Sequence, residues 1–124
     1  INLTDTKDQI VNKIKKAKTD PLPLPKIIKE LEERLEAKNL IGIYASLTNS
    51  NLEKSVETFA GKNFSEFKEK LSETLVGKIE PISLEIKKLL DDQSYLDKIL
   101  LEGAEKANLI SSKKIKKIKE IVGF

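Results

Sequence analysis

The residues of this chain best suited to chemistry are lysines near its end. Five of them, at positions 113, 114, 116, 117 and 119, fall within residues 110–124, against Glu120 as the one acid. Ammonium groups spaced along a helix can contact the phosphates of a nucleic acid. Lysine-rich helices are also common as solvated faces that bind nothing. On charge alone the solvated face is the preferred interpretation, and nucleic-acid binding is the alternative.

Aromatic and acidic side chains suggest two further sites. Phe64 and Phe67 have the rings that stack on unpaired bases, but they lie on an apolar stripe of helical spacing, which favours a place in the core. Tyr44 and Tyr95 fit either interpretation. The adjacent acids Asp91-Asp92 lack further ligands, which is typical of a helix end in water rather than of a cation site. We therefore predict no metal site.

The composition narrows the function further. The 124 residues include no cysteine and no histidine, which excludes disulfides and thiolate metal sites and removes the usual general base near pH 7. We expect no catalytic residue and no cofactor in this segment.

The chain opens at Ile1 and contains no methionine, which predicts a piece of a longer protein. No apolar run approaches the ~18 residues of a membrane span, so we expect a cytoplasmic protein without a membrane partner.

Apolar residues recur every three to four positions along most of the chain, and no segment alternates as a strand does. This pattern predicts an all-α fold, a helical bundle of about six helices. A first helix ends near Thr19, and the prolines of Asp20–Pro25 force an extended connector. The helical patterns that follow cover residues 26–35, 37–47, 52–60, 63–91, 94–110 and 112–122, and the break near residue 36 is left open.

Two of these helices have special features. The long helix that starts at Asn63 or Ser65 carries an apolar stripe, and Pro81 inside it predicts a kink at a cost of ~3 kcal/mol. The next helix, capped by Ser94, is expected to bury one face, with a narrow seam at Gly103–Ala107 for close helix packing. The inward residues of that face are predicted to be Leu96, Ile99, Leu100, Gly103, Ala104, Ala107 and Ile110.

Five short segments together resemble the C-terminal part of bacterial-type tryptophanyl-tRNA synthetases, which are class I enzymes. Two are Gly61-Lys62-Asn63-Phe64-Ser65-Glu66-Phe67-Lys68, similar to the family's Gly-Lys-Gly-Tyr-Gly-x-Phe-Lys, and Gly103-Ala104-Glu105-Lys106-Ala107, which matches the family's wording. The other three are Ile14–Asp20, Asn39–Tyr44 and Pro81-Ile82. The match runs in order along nearly the whole chain, although Leu22–Leu31 has no familiar counterpart and relatives often place a proline after Arg34.

The resemblance implies a division of labour. Residues 1–20 resemble the helix that follows the family's Lys-Met-Ser-Lys-Ser loop, and residues 21–124 a helical, anticodon-binding-type domain. The implied parent joins tryptophan to its tRNA with ATP and Mg, acts as a homodimer, and binds ATP and tryptophan in a catalytic domain that this chain lacks. Lys113, Lys116 and Lys117 are the candidate tRNA contacts, because a basic helix end can meet phosphates. The fragment alone is expected to be inactive.

Two alternatives stay open at this point. One is a free-standing helical interaction module whose seam at Gly103–Ala107 docks a partner helix. The other is the sibling tyrosyl enzyme, whose C-terminal region lacks the Gly-Ala-Glu-Lys-Ala wording.

Overall fold

A computed structural model describes residues 1–123, and over these residues the chain forms five α-helices and no strand. The helices are α1 (Lys7–Lys15), α2 (Leu35–Leu47), α3 (Leu52–Phe59), α4 (Phe64–Asp91) and α5 (Gln93–Val122). The all-α prediction is confirmed, whereas the count of about six is not. The chain divides into two compact units, Ile1–Leu84 and Glu85–Phe124, and residues 85–123 of the second are described.

The helix starts follow the local sequence signals. Thr6 begins α1 with a capping box, in which its hydroxyl accepts from the Gln9 amide and the Gln9 side chain accepts from the Thr6 amide. Asn51 accepts from the Lys54 amide at 2.7 Å and starts α3. Asn63 accepts from the Glu66 amide at 2.9 Å and starts α4. Of the two predicted starts of α4, Asn63 is confirmed, and α1 ends at Lys15 rather than near Thr19.

The core of the first unit is built from one face of each of its helices. Phe67 is completely buried, and its ring meets Phe59 edge-on with 4.8 Å between centroids. Tyr44 meets Phe59 in the same way, also at 4.8 Å. The apolar side chains that fill the rest of this core are Ile10, Ile14, Leu24, Leu31, Ala37, Leu40, Ile41, Val56, Phe64, Leu71, Leu75, Val76 and Ile79. The core interpretation of Phe64 and Phe67 is confirmed.

The prediction of a helix at residues 26–35 is wrong. Only a 3-10 turn, Ile28–Leu31, forms there, since Ile27 is extended at φ −132° and ψ 153°. The amide of Glu30 donates to the Ile27 carbonyl and that of Arg34 to Leu31, both three residues apart. At one end of the segment the Lys26 amide donates to the Glu30 carboxylate at 3.0 Å, and at the other Arg34 lies outside helical geometry at φ −119° and ψ 72°. Leu31 is nevertheless buried, so the 3-10 turn contributes one side chain to the core.

Pro81 lies inside α4, and the helix continues past it to Asp91. The predicted stripe of α4 is buried from Phe64 to Ile79, whereas Ile82 is exposed and the later members Ile86 and Leu89 are half-buried. The kink at Pro81 stays a prediction.

The helices predicted at residues 94–110 and 112–122 are one helix, α5. Ser111 and Ser112 do not break it, because a serine can donate back to the preceding turn, as the Ser111 hydroxyl does to the Asn108 carbonyl at 3.4 Å. The cap is Asp92 rather than Ser94, and it accepts from the Tyr95 amide at 3.0 Å. Gly123 ends α5 in the left-handed conformation, at φ 85°.

The inward face predicted for α5 is wrong. None of the residues of α5 is buried, and Leu96 is the one that reaches intermediate exposure. A Cβ added to Gly103 would meet nothing within 4 Å, so Gly103–Ala107 is not a tight seam in this chain. The small residues of α5 therefore lie on an open helix face.

Candidate nucleic-acid interface

The candidate interface lies on α5, the second helix of the second unit. Asp92 and Ser94 fix its start, because the Ser94 hydroxyl donates to Asp92 at 2.8 Å while the same carboxylate oxygen accepts from Tyr95. These two bonds lower the pKa of Asp92, with the Ser94 bond the larger cause. An ionised carboxylate at a helix N-terminus is also favoured by the helix dipole. Asp92 is thus a cap, as the helix-end interpretation predicted.

The predicted tRNA contacts Lys113, Lys116 and Lys117 all lie on α5 and are exposed. Lys113 and Lys117 are one turn apart and share a side of the helix, whereas Lys116 lies on the flank of that side, about 60 to 100° away. Within the described residues, none of the six salt bridges involves a lysine of α5. Their charges are therefore available to an anionic partner.

The four aromatic candidates differ in their exposure to solvent. Phe64, Phe67 and Tyr44 belong to the core of the first unit, where Tyr44 contacts Phe59. Tyr95 is 49 % exposed on α5. It is the candidate whose ring is presented to solvent, and the sequence alone left it ambiguous.

The adjacent acids Asp91 and Asp92 lie at two different helix ends. Asp91 ends α4 and Asp92 caps α5. Among residues 1–123 no group of three or more acidic side chains could hold a metal ion. In the same part of the chain, no helix is both long and apolar enough to cross a membrane.

Arg34 has a role that sequence reasoning missed. Its guanidinium donates to both carboxylate oxygens of Asp20, at 2.6 and 3.0 Å, and to the carbonyls of Pro23 at 2.7 Å and Leu22 at 3.3 Å. It also lies over the Phe64 ring, 5.8 Å from the centroid. Its hydrogen bond is the main reason that the pKa of Asp20 falls below its ordinary value. The one arginine of the chain thus fixes the proline-rich connector.

Lys68 is a second residue that the sequence did not single out. Its ammonium donates to the carbonyls of Ala17 at 2.6 Å and Lys15 at 3.3 Å, which lie at and just after the end of α1. A cation there satisfies free carbonyls and complements the helix dipole. Lys68 therefore holds α1 against α4.

A groove of about 880 Å³ runs between α1 and α4. Its lining mixes lysines with Glu69 and Glu73, and it contains none of the predicted tRNA contacts. The mixed charge gives it no preference for an anion.

No family model matches the chain. Its full length is 45 % identical to the tryptophan–tRNA ligase of Caulobacter vibrioides and 44 % identical to those of Agrobacterium fabrum and Rickettsia felis. The chain covers 36 %, 35 % and 37 % of these proteins, so it spans about a third of the length of the relatives it matches.

The relatives that the helical chain resembles are aminoacyl-tRNA synthetases. Within that class the similarity is to tryptophan–tRNA ligases, and the chain matches a C-terminal segment of such proteins along its whole length. The resemblance noted in the short sequence segments is therefore confirmed.

Proposed function

We propose that this chain is the helical, tRNA-recognising part of an enzyme that joins tryptophan to its tRNA with ATP. The observation that carries the proposal is identity of 40–45 % over all 124 residues to proteins named as tryptophan–tRNA ligases. The chain's own chemistry agrees with a binding role. It has no histidine or cysteine, and its most basic helix is exposed.

The chemical step belongs to the rest of the parent. In this proposal ATP, Mg and tryptophan bind in the catalytic domain of the parent. In the parent, residues 1–20 follow the signature loop and residues 21–124 form the anticodon-binding-type domain. The parent acts in the cytoplasm as a homodimer.

Lys113, Lys116 and Lys117 contact tRNA phosphates in this proposal. Their ammonium groups are compact charges on flexible stems, which suits phosphates in varied positions better than a fixed pattern of bases. Each neutralised phosphate releases counterions, so the logarithm of the binding constant falls with the logarithm of salt concentration by about 0.7 to 0.9 per contact. Binding by α5 is thus strongly dependent on salt.

Filter binding with the full chain tests this function. We expect tRNA specific for tryptophan to bind more tightly than an unrelated tRNA, with affinity falling as salt rises. Equal affinity for both, or no binding at moderate salt, would contradict the recognition role. A free-standing interaction module would show no binding to tRNA at moderate salt.

A companion assay addresses the division of labour. The chain should support no tryptophan-dependent exchange of pyrophosphate into ATP, because the proposal assigns nucleotide binding to the catalytic domain of the parent. Exchange above the background of a heat-denatured sample would show that the catalytic assignment is wrong.

A further inference from the structure

The continuity of α5 aligns residues that the sequence pattern had placed on separate helices. With 3.6 residues per turn, positions 95, 106, 113 and 117 fall within about 40° of one another around the axis. We name this set the α5 stripe: Tyr95, Lys106, Lys113 and Lys117. At 1.5 Å per residue, Tyr95 lies about 16 Å from Lys106, which lies about 10 Å from Lys113 and about 16 Å from Lys117.

Each member of the α5 stripe is open to solvent. Tyr95 is 49 % exposed, and the three lysines are exposed as well. Tyr44 differs, because its ring packs edge-on against Phe59. An exposed aromatic ring followed by lysines along one line is the arrangement that single-stranded nucleic acid needs, since bases stack on the ring and phosphates meet the cations.

We propose that the α5 stripe binds an unpaired segment of the tRNA, with Tyr95 stacked on a base and the three lysines on phosphates of the same strand. The proposal rests on the proposed function and deepens it. It adds two residues, Tyr95 and Lys106, to the candidate contacts. Lys116 lies outside the α5 stripe and becomes a secondary candidate. It also assigns different physical roles to the two ends of the helix.

Two acidic residues of α5 lie close to the α5 stripe and allow a further test. Glu102 and Glu120 lie on one flank of the α5 stripe, each about 40° around the axis from Lys106. Glu102 stands between the ring of Tyr95 and the first lysine, where it repels a phosphate. Replacing Glu102 with glutamine is therefore expected to strengthen tRNA binding. Unchanged or weaker binding would contradict this path for the strand.

Stacking is tested by substitution at Tyr95. Tyr95→Leu should weaken binding of the tryptophan-specific tRNA about 5- to 150-fold, while Tyr95→Phe, which keeps a ring, should bind nearly as the parent chain does. The salt dependence should be the same in both variants, because stacking neutralises no phosphate. Equal affinity of the leucine and phenylalanine variants would overturn the stacking role.

Phosphate contact is tested by a charge-matched comparison on the same helix. Lys106→Gln, Lys113→Gln and Lys117→Gln should each reduce the slope of log K against log salt by about 0.7, the single-strand value for one phosphate. Lys119→Gln removes the same charge about 140° around the axis from Lys106 and should leave the slope unchanged. Equal slopes for all four variants would overturn the α5 stripe.

An NMR measurement gives an independent readout. The chain has two tyrosines, so ring resonances can be assigned with Tyr44→Phe. Stacking should shift the Tyr95 ring protons upfield when tRNA is added and leave those of Tyr44 in place. Chain that binds tRNA without this shift would refute the stacking while leaving the proposed function intact, whereas chain that binds no tRNA would refute both.

Discussion

Replacing Arg34 with methionine tests whether one side chain fixes the proline-rich connector. The side chains of Arg34 and Asp20 are 15 % and 27 % exposed, so the pair is largely shielded from water. Hydrogen bonds to charged groups contribute about 1.5 to 3 kcal/mol each, and the two bonds to one carboxylate do not add fully. We expect Arg34→Met to lower the free energy of unfolding by about 2 to 4 kcal/mol.

The same variant should change the response to acid. Arg34 lowers the pKa of Asp20 in the folded state below its ordinary value of 3.8. The pair therefore stabilises the fold fully above that ordinary pKa, and this contribution is lost as the pH falls through the lower folded value. The difference in stability between the parent chain and Arg34→Met should shrink from about pH 5 downward.

Urea unfolding followed by circular dichroism, at neutral and acid pH, measures both effects. Lys18→Met is the matched control, because Lys18 is 89 % exposed and its ammonium lies 3.6 Å from Glu36. An exposed pair of this kind contributes about 1 kcal/mol or less. If the two variants lose the same stability, or if the Arg34→Met difference is constant with pH, the connector is held by something other than this guanidinium.

Three further predictions concern packing and capping. Phe67→Ala should cost about 3 to 5 kcal/mol in urea unfolding, because its ring is fully buried between helices; a loss below 1 kcal/mol would remove it from the core. Ala107→Leu should change stability by no more than about 0.5 kcal/mol, since Ala107 is exposed, and a large loss would restore the tight seam. Lys68→Met should cost about 1 to 2 kcal/mol and speed hydrogen exchange in α1 more than in α3; a uniform change across both helices would contradict its role at the end of α1.

The sequence determined the features that depend on neighbours in the chain. Thr6, Asn51 and Asn63 start their helices through side-chain bonds that span three residues, and these signals are readable without a fold. Gly61 takes φ 71° after α3, as a helix-ending glycine should. The spacing of Phe64, Phe67 and their successors also identified the core face of α4 as far as Ile79. The order of short family-like segments also predicted the similarity to tryptophan–tRNA ligases.

Tertiary contacts decided what spacing could not. Residues 26–35 have helical periodicity, yet the segment forms only a 3-10 turn. The Arg34 guanidinium there donates to Asp20, fourteen positions earlier. Lys68 looks like any surface lysine until α4 brings it to the carbonyl of Ala17. Periodicity marked an apolar side of α5 but could not show whether anything covers it, because burial depends on elements distant in sequence. Only the folded chain showed that side to be open and Tyr95 to share a line with the lysines.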